Sequence, residues 1–315
     1  MRRKTDQVIN EIKKVIIGKD DIAKKVFTAV LAEGHVLLED IPGVGKTTLA
    51  LAFSKVMGLD FNRIQFTPDV VASDIVGFTM FNKHEGEFVF EEGAVMCNLL
   101  LADEINRTTS RTQAALLEVM EEKNVTVDGN TYPLPKPFHV IATQNPLDSY
   151  GTQALPQSQL DRFMIKTSIG YPDFNSQVEI LKDRQSKQPL DQVAVVMTND
   201  HLIAMQEEVR QLHISEEILK YITALTEATR NHSLIVQGVS PRGALALSRI
   251  AKAHAYISGR NYVVPEDVID MFIDTCSHRI ILEQKAKMSD KKPESILLDI
   301  LNNEKTPDLQ QGLNV

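Results

Sequence analysis

Tryptophan is absent from the 315-residue sequence, which contains only two cysteines and eight histidines. Cys97 and Cys276 lie far apart, and neither belongs to a motif with the spacing of a metal site. The histidines are also scattered without ligand spacing, so a zinc module is not expected. We predict that both cysteines are reduced thiols packed inside the protein, because free cysteine is among the most buried residue types.

Long apolar segments are missing as well. A membrane-spanning helix needs about 20 apolar residues in succession, and no segment approaches that length. The basic residues 1–4 are followed at 5–14 by a mixed polar segment instead of the apolar core of a signal peptide. The sequence therefore predicts a cytoplasmic protein without an integral membrane segment. A peripheral membrane partner is compatible with this prediction.

An excess of positive charge is the third absence. The formal net charge is −8 and the isoelectric point is about 5.5. Such a chain gains no general counterion-release attraction to nucleic acid. The charge argues against a nucleic-acid motor, although a local basic groove is compatible with it.

Short apolar runs alternate with helical patterns over the first two-thirds of the chain. Strands are predicted at residues 35–39, 61–66, 98–102, 138–143 and 164–169, and helices at 47–57 and 112–122. Strands that alternate with helices predict a parallel sheet covered on both faces.

Two hairpins interrupt this alternation. The first is predicted at 77–90, with Gly86 in its turn, and the second at 124–132, with an Asp-Gly turn. Short two-stranded hairpins contribute little core of their own, so we expect them to serve contact or motion. The alternative is that the phenylalanines of the first hairpin simply cover a helix.

The pattern becomes helical after Pro172. Helices are predicted at 201–212, 216–231, 243–258 and 265–282, a solvated lysine-rich loop at 285–292, and a polar, frayed end at 302–315. This change predicts a second, separate helical domain.

A glycine-rich loop follows the first strand and opens the first predicted helix, at residues 42–47. In this context, backbone N–H groups and the helix N-terminus favour phosphate. Lys46 can reach the outer phosphates, and Thr47 can ligate Mg²⁺. The loop departs from the strict pattern at Asp40, where a glycine is expected.

A second motif is the apolar run 98–102, which ends in two acids, Asp103 and Glu104. At the carboxyl end of a strand, Asp103 can hold the Mg²⁺ shell and Glu104 can polarise an attacking water. The two motifs together predict nucleotide hydrolysis.

The order of these motifs resembles that of AAA+ ATPases from about Val15 to Leu282. The resemblance implies a parallel-sheet P-loop core of the αβα type that binds ATP/ADP and Mg²⁺, followed by an all-α helical lid domain. The implied division is a nucleotide-binding domain at 1–172, a lid at 173–300 and a polar tail at 301–315.

Four further segments carry this resemblance: 15–19 looks like the adenine-side segment, 141–146 like the sensor 1 strand, 159–163 like the arginine-finger segment and 239–243 like sensor 2. The resemblance implies that Asn145 places the attacking water and that Arg162 acts on a neighbouring subunit. Arg242 would contact phosphate from the lid, in its own subunit or in the next. Taken alone, an isolated Asn or Arg is more often a cap or a solvated charge.

The predicted site residues fall into three groups. The nucleotide-binding residues are Ile17, Gly18, Pro42, Gly43, Val44, Gly45, Lys46, Thr47 and Thr48, the magnesium ligands are Thr47 and Asp103, and the catalytic residues are Glu104, Asn145, Arg162 and Arg242.

Longer strings at 38–48, 102–107 and 113–118 are similar to the MoxR family, in which an acid at the position of Asp40 is a common trait. The resemblance implies a ring-forming homo-oligomer, expected to be a hexamer. It also implies chaperone-like maturation of metalloenzyme complexes, with partners that carry a von Willebrand factor A domain. The hairpins would be the helix-2 insert and the pre-sensor-1 hairpin of this clade, which includes magnesium chelatase ATPase subunits. Arg107 is a candidate additional sensing arginine.

Two other functions are kept as alternatives. A nucleic-acid motor of the same clade would need basic hairpin tips, but the tips carry Lys83 with Glu85 and Asp128 with Asn130. A nucleotide-dependent switch with little turnover would not need the hydrolytic residues that this sequence retains.

Overall fold

The computed structural model describes residues 2–84, 86–145, 153–184 and 189–307. The strands in these ranges are β1 (Val36–Glu39), β2 (Phe61–Gln65), β3 (Gly77–Asn82), β4 (Glu87–Glu92), β5 (Leu99–Asp103), β6 (Asn124–Val127), β7 (Asn130–Pro133), β8 (His139–Gln144), β9 (Ile165–Thr167), β10 (Ile235–Gln237) and β11 (Ile281–Leu282).

The helices in the same ranges are α1 (Arg2–Lys13), α2 (Asp20–Leu31), α3 (Lys46–Met57), α4 (Ala72–Val76), α5 (Ser110–Glu122), α6 (Gln157–Leu160), α7 (Phe174–Asp183), α8 (Asn199–Gln211), α9 (Glu216–Asn231), α10 (Pro241–Ile257), α11 (Pro265–Cys276), α12 (Gln284–Met288) and α13 (Pro293–Asn303).

Five parallel strands form the central sheet in the order β2-β5-β8-β1-β9. Successive side chains of β5 point to opposite faces. Leu99 and Leu101 belong to the hydrophobic cluster that includes α1, α2 and α3, whereas Leu100 and Ala102 belong to the cluster that includes α5. The predicted parallel sheet covered on both faces is therefore confirmed, and its carboxyl edge gathers the loops that follow β1, β5 and β8.

Both predicted hairpins are present, as β3–β4 and β6–β7. Their strands meet where Phe90 stacks on Tyr132, with ring centroids 4.0 Å apart. Phe78, Phe81 and Phe88 are instead exposed, Phe88 to 74%. The alternative that these aromatics cover a helix is therefore wrong for three of the four phenylalanines. Glu85, in the tip of the first hairpin, lies outside the described residues.

In its described residues the lid is helical, as predicted, apart from a short antiparallel pair, β10 with β11, and an isolated bridge between His213 and Tyr262. The helix expected at 265–282 ends at Cys276 and is followed by a 3₁₀ turn at 277–279. The cause is Arg279, which is 3% exposed and donates to Asp161 and to the carbonyl of Phe163. These contacts turn the chain towards the core.

The segment after this turn also differs from the prediction. The loop expected at 285–292 begins with α12, and α13 follows it because Ile296, Leu297 and Ile300 are buried against the lid. Of the tail predicted at 301–315, residues 308–315 lie outside the described residues.

Cys97 and Cys276 are buried free thiols, as predicted. Burial raises the pKa of both to about 12, so both are protonated and unreactive at neutral pH. In the described part of the chain, no helix has the length and apolar character needed to cross a membrane.

Candidate nucleotide-binding site

The loop between β1 and α3 is anchored by its one departure from the strict phosphate-loop pattern. The carboxylate of Asp40, which is 6% exposed, accepts hydrogen bonds from the Gly170 N–H (2.7 Å) and from the Ser168 hydroxyl (3.0 Å). Its other oxygen accepts from the Ile41 N–H at 2.9 Å. A glycine at this position would leave the loop without this connection to the segment that follows β9.

The glycines of the loop have the backbone geometry that a phosphate cradle needs. Gly43 and Gly45 have φ angles of +85° and +98°, which L side chains rarely adopt. A side chain on Gly43 would also project into open space, since no atom lies within 4 Å of its ideal Cβ position.

Lys46 is folded back into the loop. Its ammonium donates to the carbonyls of Asp40 (2.6 Å) and Ile41 (3.2 Å). Burial lowers the pKa of this group, although the carboxylates of Asp40, Asp103 and Glu104 oppose the shift. A phosphate in the cradle would give the ammonium a charged acceptor in place of neutral carbonyls.

The two acids at the end of β5 are held in different ways. Asp103 is 7% exposed, and its Oδ1 accepts from the Thr143 hydroxyl at 2.7 Å. Its Oδ2 accepts from Arg63 at 2.7 Å. The same Thr143 hydroxyl accepts from the Glu104 N–H at 2.8 Å, so β8 fixes both acids.

Glu104 has a left-handed backbone (φ 57°, ψ 49°), which is uncommon for a residue other than glycine. Its Oε2 accepts from Gln65 at 2.8 Å and from Arg107 at 2.9 Å. Such strained residues are often found at functional sites. The carboxylate that is predicted to polarise water is thus engaged by two side chains of its own subunit.

Asn145 follows β8 at the same edge of the sheet and is 7% exposed. Its carbonyl accepts from the Asn106 side chain at 3.3 Å. Pro146, the last residue of the predicted sensor 1 segment, lies outside the described residues.

The phosphate loop and the two acids line one cavity of about 590 Å³, whose lining does not include Asp40 or Asn145. Its lining consists of Pro42, Gly43, Val44, Gly45, Lys46, Thr47, Thr48, Arg63, Gln65, Asp103, Glu104, Tyr171, Pro172, Gln177, Ile180 and Arg184. All seven loop residues predicted from the sequence are included. The sequence reasoning missed Arg63, Gln65 and the wall at 171–184. Arg63 and Gln65 could have been predicted, because polar residues at alternate positions near the end of β2 point to the same face of the strand.

The predicted adenine-side segment lies next to this cavity without lining it. A Cβ on Gly45 would lie 4.0 Å from Ile16, and a Cβ on Gly18 would collide with Ser176 in the first turn of α7. Ile17 and Gly18 therefore lie between the phosphate loop and α7, where they can adjoin a base.

Arg162 and Arg242 do not line this cavity. They line a second one of about 720 Å³ between the core and the lid. Both form ion pairs with Glu121, Arg162 at 3.0 Å. The further basic residues of this lining are Lys123, Arg210, Arg249, Lys252 and Arg279.

Asp161 explains why these two arginines lie together. It accepts from Ser240, the N-cap of α10, at 2.9 Å and from Arg279 at 2.7 Å. The start of α10, which carries Arg242, is thereby attached to the segment that carries Arg162. Arg242 therefore lies away from the phosphate loop of its own subunit, and its contact with phosphate stays a prediction.

Comparison with known proteins agrees with the fold. The ATPase family associated with various cellular activities (AAA) matches residues 35–165, and the AAA lid domain matches residues 227–300. The uncharacterized protein YeaC of Bacillus subtilis is 44% identical over 96% of this chain and 94% of its own.

A second relative and a solved structure also match nearly the whole chain. Chaperone MoxR1 of Mycobacterium tuberculosis is 38% identical over 98% of this chain and 85% of its own. The crystal structure of a candidate ATPase from Cytophaga hutchinsonii superimposes with a TM-score of 0.91 and 39% identity, over 98% of this chain and 96% of that one. The chain therefore belongs to the MoxR family of AAA+ ATPases.

Proposed function

We propose that the protein hydrolyses Mg²⁺-bound ATP within a ring of its own copies and uses the nucleotide cycle to remodel protein complexes. The observation that carries this proposal is the single cavity in which the phosphate loop, with Lys46 and Thr47, faces Asp103 and Glu104. A phosphate cradle and a pair of acids at the end of the adjacent strand are the parts that phosphoryl transfer to water requires.

The donor set fits a magnesium nucleotide. Asp103 and Thr47 offer the hard oxygen atoms that Mg²⁺ prefers. In the described ranges, no group of three or more His, Cys, Asp or Glu side chains could hold a metal ion by itself. Mg²⁺ held by these residues would neutralise charge that develops during phosphoryl transfer. Lys46 would bind the outer phosphates, and Ile17 and Gly18 would adjoin the base.

Glu104 is proposed to accept the proton of the attacking water, and Asn145 to orient that water. The hydrogen bonds from Gln65 and Arg107 hold the Glu104 carboxylate at the end of β5. Both hydrogen bonds use Oε2, and Oε1 is the oxygen proposed to accept the proton of the water.

Arg162 and Arg242 are proposed to act together on the nucleotide of a neighbouring subunit. Their guanidinium groups converge on Glu121, in a cavity that does not include their own phosphate loop. Hydrolysis would then require assembly, because each active site takes its arginines from the next copy. A hexamer is the assembly that the family resemblance implies.

The proposed client is a protein. The Mycobacterium tuberculosis relative is named a chaperone, and the exposed phenylalanines of the β3–β4 hairpin offer an apolar contact surface. We further propose, on the family resemblance, that the clients include proteins with a von Willebrand factor A domain and complexes that receive a metal cofactor.

Two substitutions test the ATPase proposal. Lys46→Ala should abolish binding of a fluorescent ATP analogue, because the phosphates lose their principal cation. Glu104→Gln should keep binding and lose phosphate release, because the water loses its base. Turnover by Glu104→Gln at the parent rate would show that Glu104 is not the catalytic acid.

A further inference from the structure

Each carboxylate oxygen of the proposed magnesium ligand Asp103 accepts a hydrogen bond from a protein group. Asp103 Oδ1 accepts from the buried hydroxyl of Thr143 and Oδ2 from Arg63, each at 2.7 Å. An ionised carboxylate with only 10% of its side chain exposed is costly to leave unpaired. Its pairing with a cation is therefore required whenever no metal ion is present.

Arg63 is the cation that meets this requirement. It lies on β2, whose residues pair in register with those of β5, so that its side chain reaches the end of the neighbouring strand. Its guanidinium lines the nucleotide cavity and also donates to Gln65 at 3.0 Å. Lys46, another cation of this cavity, is held by carbonyls of the phosphate loop.

The guanidinium and a metal ion would compete for one oxygen atom. Mg²⁺, whether bound directly or through its water shell, needs lone pairs of Asp103 as acceptors. Thr143 uses Oδ1, and its hydroxyl is fixed because it also accepts from Glu104. Oδ2 is the atom that Arg63 holds.

We propose that Arg63 is a positioning residue that takes the place of Mg²⁺ on Asp103 and yields that oxygen when a magnesium nucleotide binds. The inference rests on the proposed binding of a magnesium nucleotide. While Arg63 is paired, Asp103 keeps its orientation and its negative charge is screened from an incoming phosphate. When the metal binds, it displaces this guanidinium from Asp103. The cost of breaking the ion pair lowers the net affinity for the metal.

This role predicts that removal of the Arg63 charge changes nucleotide affinity differently with and without the metal. In Arg63→Gln, metal-free nucleotide meets an unscreened Asp103 and should bind more weakly. Magnesium nucleotide no longer has to displace a guanidinium and should bind as well as before or more tightly. The ratio of the two dissociation constants should therefore rise.

The experiment is a titration of the full chain with fluorescent N-methylanthraniloyl-ADP, in excess Mg²⁺ and in EDTA. We expect the ratio of the dissociation constant in EDTA to that in Mg²⁺ to rise about twofold to fivefold in Arg63→Gln, as removal of a partly exposed ion pair allows. Arg63→Lys keeps the charge and should stay close to the parent. Lys220→Gln, which removes a cation from an exposed pair on α9, is the matched charge control and should equal the parent.

A double-mutant cycle separates this role from a structural one. In an Asp103→Asn background, Arg63→Gln should leave the ratio unchanged, because no charged ligand remains to be screened. A ratio in Arg63→Gln equal to that of the parent would overturn the inference while leaving the proposed function intact. Equal weakening in Mg²⁺ and in EDTA would also overturn it, because it would indicate a direct phosphate contact. A parent protein that does not bind the probe would overturn the proposed function and this inference together.

Discussion

Arg162 and Arg242, which belong to different domains of the predicted organisation, bind the two carboxylate oxygens of the same residue, Glu121. The pairing makes a single anion-binding unit of two arginines. A guanidinium can donate to the oxygen atoms of a phosphate in the same way as to those of a carboxylate. Glu121 therefore occupies the pair in the isolated chain, and the pair should change partner together on assembly.

This relationship predicts that both arginines act across a subunit interface. Arg162→Ala and Arg242→Ala should each bind nucleotide normally yet lose hydrolysis, by a factor on the order of 10³ for Arg162, as arginine fingers do. Lys46→Ala subunits, which keep both arginines, should partly restore phosphate release in mixed rings. Failure of this rescue for Arg242→Ala alone would assign Arg242 to its own subunit.

Substitution of Asp40 should weaken the protein, whereas the sequence motif alone would predict that a glycine at this position improves the loop. Asp40→Gly makes the loop conform to the strict phosphate-loop pattern, but it removes the bonds to Gly170 and Ser168. Hydrogen bonds to charged groups contribute about 1.5–3 kcal/mol, so we expect the free energy of unfolding to fall by about 2 kcal/mol. Nucleotide affinity should fall as well.

Urea denaturation and nucleotide titration measure the two effects of Asp40→Gly. Asp40→Asn, which retains one acceptor oxygen, should lie between the parent and Asp40→Gly. Parent-like affinity in Asp40→Gly would show that the anchor is not needed for the cradle.

Two buried histidines predict acid instability. His139 donates from Nδ1 to the Gly34 carbonyl and accepts at Nε2 from Gln206, and His35 accepts at Nδ1 from the Val140 N–H. A second proton on either ring would oppose a donor. Burial lowers the pKa of His35 to about 3 and that of His139 to about 4.

Because the folded pKa values lie below the unfolded value of about 6.5, the unfolded chain binds more protons between them. Stability is therefore fully present above pH 6.5 and falls as the pH drops towards the folded values, by about 1.4 kcal/mol per pH unit for each histidine. Urea denaturation at pH 7.5 and pH 5.5 measures this decline. In His139→Gln the loss of stability between these pH values should be smaller by the contribution of one histidine. In His213→Gln, which alters an exposed histidine, the loss should equal that of the parent. An unchanged decline in His139→Gln would contradict the assignment.

The β3–β4 hairpin should be dispensable for folding and needed for client work. Phe81 and Phe88 contact each other, with ring centroids 5.3 Å apart, but both are exposed. Replacement of residues 82–86 by a tight Asn-Gly turn should leave the melting temperature and basal ATPase rate close to the parent values. Proteins that co-purify with a Glu104→Gln trap in the native host should then be lost. A fall of many degrees in melting temperature, with client capture retained, would show that the hairpin is structural.

The sequence predicted the central strands, both hairpins and four lid helices to within a few residues at most of their ends, because each has a local signature. The helix expected at 265–282 shows where this fails. Its apolar period continues past Cys276, but the buried Arg279 binds Asp161 and ends the helix. The helices α12 and α13 were missed because lysines dominate the first and precede the second, while their packing is visible only in the folded lid.

Among the candidate site residues, the sequence by itself determined the phosphate loop and the acids Asp103 and Glu104, since strand, glycine loop and helix follow one another along the chain. Only the tertiary structure decided that Arg63 holds Asp103 and that Glu121 gathers Arg162 with Arg242. These contacts join elements far apart in sequence, through side chains whose types are common on any surface. Local periodicity carries no information about such pairs, because their meeting depends on strand order in the sheet and on how the lid packs against the core.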